Sequence, residues 1–182
     1  HLLVRVHKHT EYGRYDYWRK HRKGHQGKFF LFYQLQALIV TLFALPLLVA
    51  ASNPIGAVTF WTVAAIVVWI VAVGGESVAD RQLSAWVANP ANKGKTCCSG
   101  LWAWSRHPNY FFEWLHWFAY ALLAIGAPMA WFALSGPALM FAFLYRVTGI
   151  PYTEAQSLRP LGGDYHRHHR RDTAYVAGPP PR

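Results

Sequence analysis

The chain has 182 residues, of which 53% are apolar and only 14% charged, with a formal net charge of +10. A charged fraction so far below the roughly 25% of soluble domains excludes an ordinary soluble globule. Only two cysteines are present, the adjacent Cys97 and Cys98, which excludes a disulfide-stapled scaffold; neighbouring thiols close a strained ring and are read as free in a reducing compartment.

The charges are segregated. No Lys, Arg, Asp or Glu occurs from Phe29 to Gly75 or from Trp114 to Tyr145. Each run exceeds the roughly 20 residues of one bilayer crossing and suits a tight pair of helices. The fold class predicted is therefore an all-α polytopic membrane bundle in one domain. About four membrane helices are expected, near 29–51, 55–74, 109–127 and 130–148, together with interfacial helices. Lys and Arg fall in the first 28 residues, in the 76–109 connection and from Arg146 onward. The positive-inside rule places these three segments and both ends of the chain in the cytoplasm, as in a bacterial inner-membrane protein. Topology and contact with anionic lipid account for the positive charge, so no nucleic-acid partner is expected.

In chain order, "HLLVRVHKH" reads as the tail of an earlier helix, so helices upstream of His1 are predicted; no apolar core of signal-peptide length follows it. Residues 1–28 form a basic, Tyr-rich segment. Pro46 should bend or finish the first membrane helix, and Asn53-Pro54 makes the outer turn. Gly74-Gly75 is expected to break the second helix, after which "ESVADRQLSAWV" resumes as a helix with Ala79, Leu83, Trp86 and Val87 on one face and Asp80, Arg81 and Ser84 away from it. "NPANKGK" is a loop. Pro108 fits the first turn of a helix, where its missing N–H costs nothing. Gly149-Ile150-Pro151 stops the fourth helix, and 149–182 is a cytoplasmic tail.

The informative stretch is "GLWAWSRHPNYFFEW". On a helix starting at Asn109, the residues Asn109, Glu113, His116 and Tyr120 share one face, and Phe111, Leu115, Phe118 and Leu122 take the other. A carboxylate facing lipid costs roughly 2.5–3.5 kcal/mol at the bilayer centre and less near the interface. The stripe therefore faces protein, either as satisfied interhelical hydrogen bonds or as a cavity wall. The second is favoured because the stripe continues into Arg106 and His107. Ser105, Arg106 and His107 precede a helix N-terminus, a place that attracts phosphate. Glu76 and Asp80, four apart, sit on one turn as acceptors for ribose or amide groups, or as a solvated face. His166, His168 and His169 lie in a run of arginines with no ligand-like carboxylate spacing, so no metal is expected.

Taken in order, "GESVADRQ", "NKGKTCCSGLWAWSRHPNYFFEW" and "TGIPYTEAQSLRPLGGDYHRHHRRDTAY" resemble the steroid 5-alpha-reductase C-terminal-domain family, especially its prokaryotic members of unassigned function. "EYGRY" near the start resembles a further signature of that family, so the likeness covers nearly the whole chain. The resemblance implies a membrane reductase in which NADPH gives hydride to a carbon–carbon double bond conjugated to a ketone, in a sterol or other lipid. It implies that Glu76 and Asp80 touch the nucleotide part of the cofactor and that Asn109 lies near the nicotinamide amide. Arg106 and His107 would lie near the phosphates, with Tyr165, Arg170 and Arg171 closing over them from the tail; Ser105, Tyr110 and Glu154 are expected among the cofactor-binding residues. The resemblance has Glu113 line the reaction chamber; Glu113, His116 and Tyr120, deep on one helix, are the candidates for the catalytic acid.

The chain also departs from that pattern. Phe112 stands where the family usually has Gly, Tyr12 where Asp is common, and His168 where a second Tyr is common. Leu2 or Leu3 stands at the place of the ketone-polarising Tyr, whose Glu partner falls upstream of His1. The Arg-His-Pro-x-Tyr segment also resembles isoprenylcysteine carboxyl methyltransferases and phospholipid methyltransferases, which bind S-adenosylmethionine. A third expectation is a non-catalytic membrane lipid-binding protein. Several arginines near a helix N-terminus favour the phosphate-rich NADPH. Substrate identity and oligomeric state are not encoded in any of these features.

Overall fold

A computed structural model describes residues 26–147, and these are mostly helical, with no strand among them. The principal helices are α1 (Gln26–Ala51), α2 (Phe60–Ala88), α3 (Pro108–Leu123) and α4 (Ser135–Ala142). Two segments, Phe29–Ala51 and Phe60–Ala88, are long and apolar enough to cross a membrane. Their large side chains point outward: Leu31, Leu38 and Val40 on α1 and Val63, Ile66, Val67 and Ile70 on α2 are exposed. Hydrocarbon turned outward over such lengths is stable only in an apolar surrounding.

The chain divides into two compact units, up to Leu42 and from Phe43 onward. In the first, residues 26–42 of α1 form a largely exposed apolar helix in which the Thr41 hydroxyl bonds back to the carbonyl of Ala37 at 2.9 Å. The second unit carries the packing. Its centre is the antiparallel pair α2 and α3, and the seam on α2 is made of small residues: Ala65, Ala72 and Ala79, seven apart, are at most 1% exposed. Ala119 on α3 is likewise buried, at 2%. Small side chains let two backbones approach closely, which is how helices associate where no hydrophobic gradient drives them together.

Two expectations are corrected here and a third is narrowed. The second helix begins at Phe60, not near 55, because Thr59 caps it: its hydroxyl accepts from the Thr62 N–H at 3.2 Å while the Thr62 hydroxyl accepts from the Thr59 N–H at 3.2 Å. Gly74-Gly75 does not break that helix, which runs unbroken to Ala88. A helical glycine costs only about 1 kcal/mol relative to Ala, and Gly75 returns that cost in packing, since a Cβ there would overlap the ring of Phe112. Of the two outcomes expected at Pro46, a bend or an end, the end is ruled out, because α1 continues through Ala51. The Pro46 ring is fully buried and lies against Gly136, which also makes room for the indole of Trp117.

Pro108 opens α3 as expected, but the α-helix stops at Leu123, short of 127. The predicted 130–148 helix is a composite: a 3₁₀ turn at Ala130–Leu134, α4, and a π-helical turn at Phe143–Val147. Trp114 on α3 donates its indole N–H to the Pro137 carbonyl at 3.0 Å. Phe111, Trp114 and Met140 pack on the buried Leu144. An open apolar groove of about 370 Å³ lies between α3 and α4, lined by Trp114, Phe118, Leu134, Pro137, Ala138 and Phe141.

The turn after α1 is tied to the end of α3 by one side chain. Asn53 donates its amide to the carbonyls of Leu123 (2.8 Å) and Ile125 (3.0 Å) and accepts from the Ile55 N–H (3.1 Å). Gly126, at φ +103°, is pressed against Ile55, where a side chain would be strained and would collide. N53A should lower stability by about 1–3 kcal/mol, the cost of leaving such groups unpaired. N53D should be no better, despite its shape, because two carbonyls need a donor. Thermal unfolding of the purified protein in detergent measures both.

Candidate functional site

The connection after α2 folds back onto it. The Trp102 indole donates to the Ala79 carbonyl at 2.9 Å, and the Leu101 N–H donates to the Gln82 side-chain oxygen at 3.0 Å. The Trp86 indole donates to the Lys95 carbonyl at 3.3 Å. These bonds fix where α3 starts. Gln82 and Trp102 were given no role by sequence reasoning; the available signal was a buried indole, which needs an acceptor. Cys97 is buried, Cys98 is exposed, and both are free thiols.

At the start of α3 the Ser105 hydroxyl accepts from the His107 N–H at 3.2 Å, and the His107 ring stacks on Tyr110 at 5.2 Å. Ser105 and His107 are 3% and 8% exposed, so both are built into the loop, while Arg106 and Tyr110 are half-buried. The helix itself has no side-chain cap, leaving its first N–H groups to other partners.

The polar stripe of α3 lies beside α2. Asn109 donates its amide to the Asp80 carboxylate at 3.3 Å. Asp80 is therefore turned toward α3, and Val87, read as sharing a face with the buried Ala79, is 74% exposed. The Asn109 side-chain oxygen is buried and has no hydrogen-bond partner among the described residues. Glu113 is half-buried and close enough to Glu76 and Asp80 to be repelled by both. Farther along the stripe, His116 Nε2 and the Tyr120 hydroxyl are hydrogen-bonded at 2.9 Å.

The structure thus brings Glu76, Asp80, Asn109 and Glu113 together and places His116 with Tyr120 on the same face. The start of α3 gathers Ser105, Arg106, His107 and Tyr110. Glu154, Tyr165, Arg170 and Arg171, with the histidine run, lie outside the described residues. Among the described residues no group of three or more His, Cys, Asp or Glu is placed to hold a metal ion.

The arrangement defines a helical protein with two membrane-length helices and a polar seam of acceptors between α2 and α3. A family described as a protein of unknown function (DUF1295) matches residues 1–173, and the chain belongs to that family. No curated protein and no solved structure matches it.

Proposed function

We propose that this is an NADPH-dependent membrane reductase, of the steroid 5-alpha-reductase-like kind, acting on a conjugated carbon–carbon double bond of a sterol-like or other lipid. In this reading α3 and the 130–147 segment also cross the membrane, as a third and fourth span. The chain ends lie in the cytoplasm and the protein sits in a bacterial inner membrane.

One observation carries the reading: the amide of Asn109 is held by Asp80 so that its buried oxygen is left to accept a hydrogen bond. A carboxylate can only accept, so Asp80 fixes which end of the amide is free. A nicotinamide carboxamide offers the matching N–H. Glu76 and Asp80 are acceptors for the cofactor's hydroxyl or amide donors, and Arg106 beside the uncapped N-terminus of α3 meets its phosphates. NADPH, when bound, supplies the hydride. The chain's part is to orient it and to deliver a proton. Tyr120 holds that proton at its hydroxyl, bonded to His116 Nε2, and Glu113 is the second acid on the face.

The clustered carboxylates of Glu76, Asp80 and Glu113 support a second reading, a membrane methyltransferase. S-adenosylmethionine is a cation without phosphate, and an acceptor-only seam suits it. Titrating NADPH and S-adenosylmethionine against the same detergent-purified protein separates the two. Saturable NADPH binding without S-adenosylmethionine binding is expected; the reverse result establishes the methyltransferase reading, and binding of neither leaves a lipid-binding protein.

A further inference from the structure

The seam between α2 and α3 is closed at one point by a bulky side chain against an absent one. The ring of Phe112 lies where a Cβ of Gly75 would be, with three ring carbons inside that space. The residues that follow each of them in sequence, Glu76 and Glu113, carry two of the three mutually repelling carboxylates. On α3, Asn109, Glu113, His116 and Tyr120 lie to one side of Phe112, and Phe111 and Leu115 to the other. The Phe111 ring meets Phe112 edge-on at 5.3 Å, so the far side is a double layer of aromatic carbon. Ala72, three residues before Gly75 on α2, is fully buried.

We infer that Phe112, seated on Gly75, is a specificity-determining residue: it walls the seam behind the carboxylates and leaves them reachable from the Asn109 edge alone. The ring excludes ligands that would enter from the Phe111 side and limits the width of whatever lies against Glu113. This concerns access to the carboxylates and holds whichever cofactor the seam takes.

Access can be read without any activity. Full-length protein in lipid nanodiscs is treated with dicyclohexylcarbodiimide, which reaches carboxyls from hydrocarbon, or with a water-soluble carbodiimide. Adducts at Glu113 are then quantified by mass spectrometry. Phe112→Ala should raise modification of Glu113 by the membrane-soluble reagent several-fold and leave the water-soluble reagent's yield unchanged. Phe112→Leu, which keeps most of the bulk, should stay near the wild type. Equal yields in wild type and Phe112→Ala would overturn the assignment. So would a rise with both reagents, since that reports a loosened fold rather than an opened wall. If Phe112→Ala does not fold, Phe112→Val is the smaller step and is read by the same criteria.

Discussion

Asn109→Ala should remove most of the affinity for NADPH, on the order of ten- to a hundredfold, within the roughly 1–3 kcal/mol lost when a buried partner is left without its hydrogen bond. The reason lies in the pairing, not in the amide alone. Asp80 takes the Asn109 N–H at 3.3 Å, so the oxygen is the end left over, and it is buried with no partner among the described residues. A buried acceptor without a donor is costly until a donor arrives. Asp80→Asn tests the orientation separately: the new side chain can donate as well as accept, Asn109 is no longer forced one way round, and NADPH affinity should fall less than in Asn109→Ala. Asn109→Asp should be the worst of the three, since it sets a fourth carboxylate beside Glu76, Asp80 and Glu113. Isothermal titration of NADPH against the three variants ranks them. Unchanged affinity in Asn109→Ala removes the amide from the cofactor seat.

Much of this geometry was readable in the sequence, because it follows from short-range periodicity and from charge. Runs without a single ionised residue marked the two membrane-length helices, although α2 extends beyond its run to Ala88. Steps of four, three and four gathered Asn109, Glu113, His116 and Tyr120 on one face, and the structure keeps His116 and Tyr120 in contact there. What the sequence leaves open is which side of each helix packs. In water, large apolar residues mark that side. In a helix surrounded by hydrocarbon they need not, and the close contacts are made by small residues. Hence Val87 is exposed and Asp80 faces a partner, while Ala65, Ala72 and Ala79 form the buried line. The Gly75–Phe112 contact was invisible for a related reason. Local propensity marks a glycine pair as a break, and only the partner helix, more than thirty residues away in the chain, turns one of the two into a seat.

That line of alanines makes the second large prediction. Ala72 is 0% exposed at the α2–α3 seam, between Ala65 at 1% and Ala79 at 0%. Ala72→Leu adds three carbons at a position with no exposed surface, and overpacking of this kind costs typically about 1–3 kcal/mol or more. Here the neighbouring contacts cannot yield separately. Ala79 is bound through its carbonyl to Trp102, whose loop sets the start of α3, and Asn53 holds the other end of α3 at Leu123 and Ile125. A helix pinned at both ends cannot tilt away from an added side chain, so the strain falls on the whole pair. Ala72→Leu should therefore lower the unfolding midpoint in detergent by more than Asn53→Ala, and Ala72→Gly, which removes a methyl group without forcing the helices apart, should cost less than either. Thermal unfolding of the three variants followed by size-exclusion chromatography gives the order. An Ala72→Leu protein as stable as the wild type would mean that the two helices do not meet along the alanines.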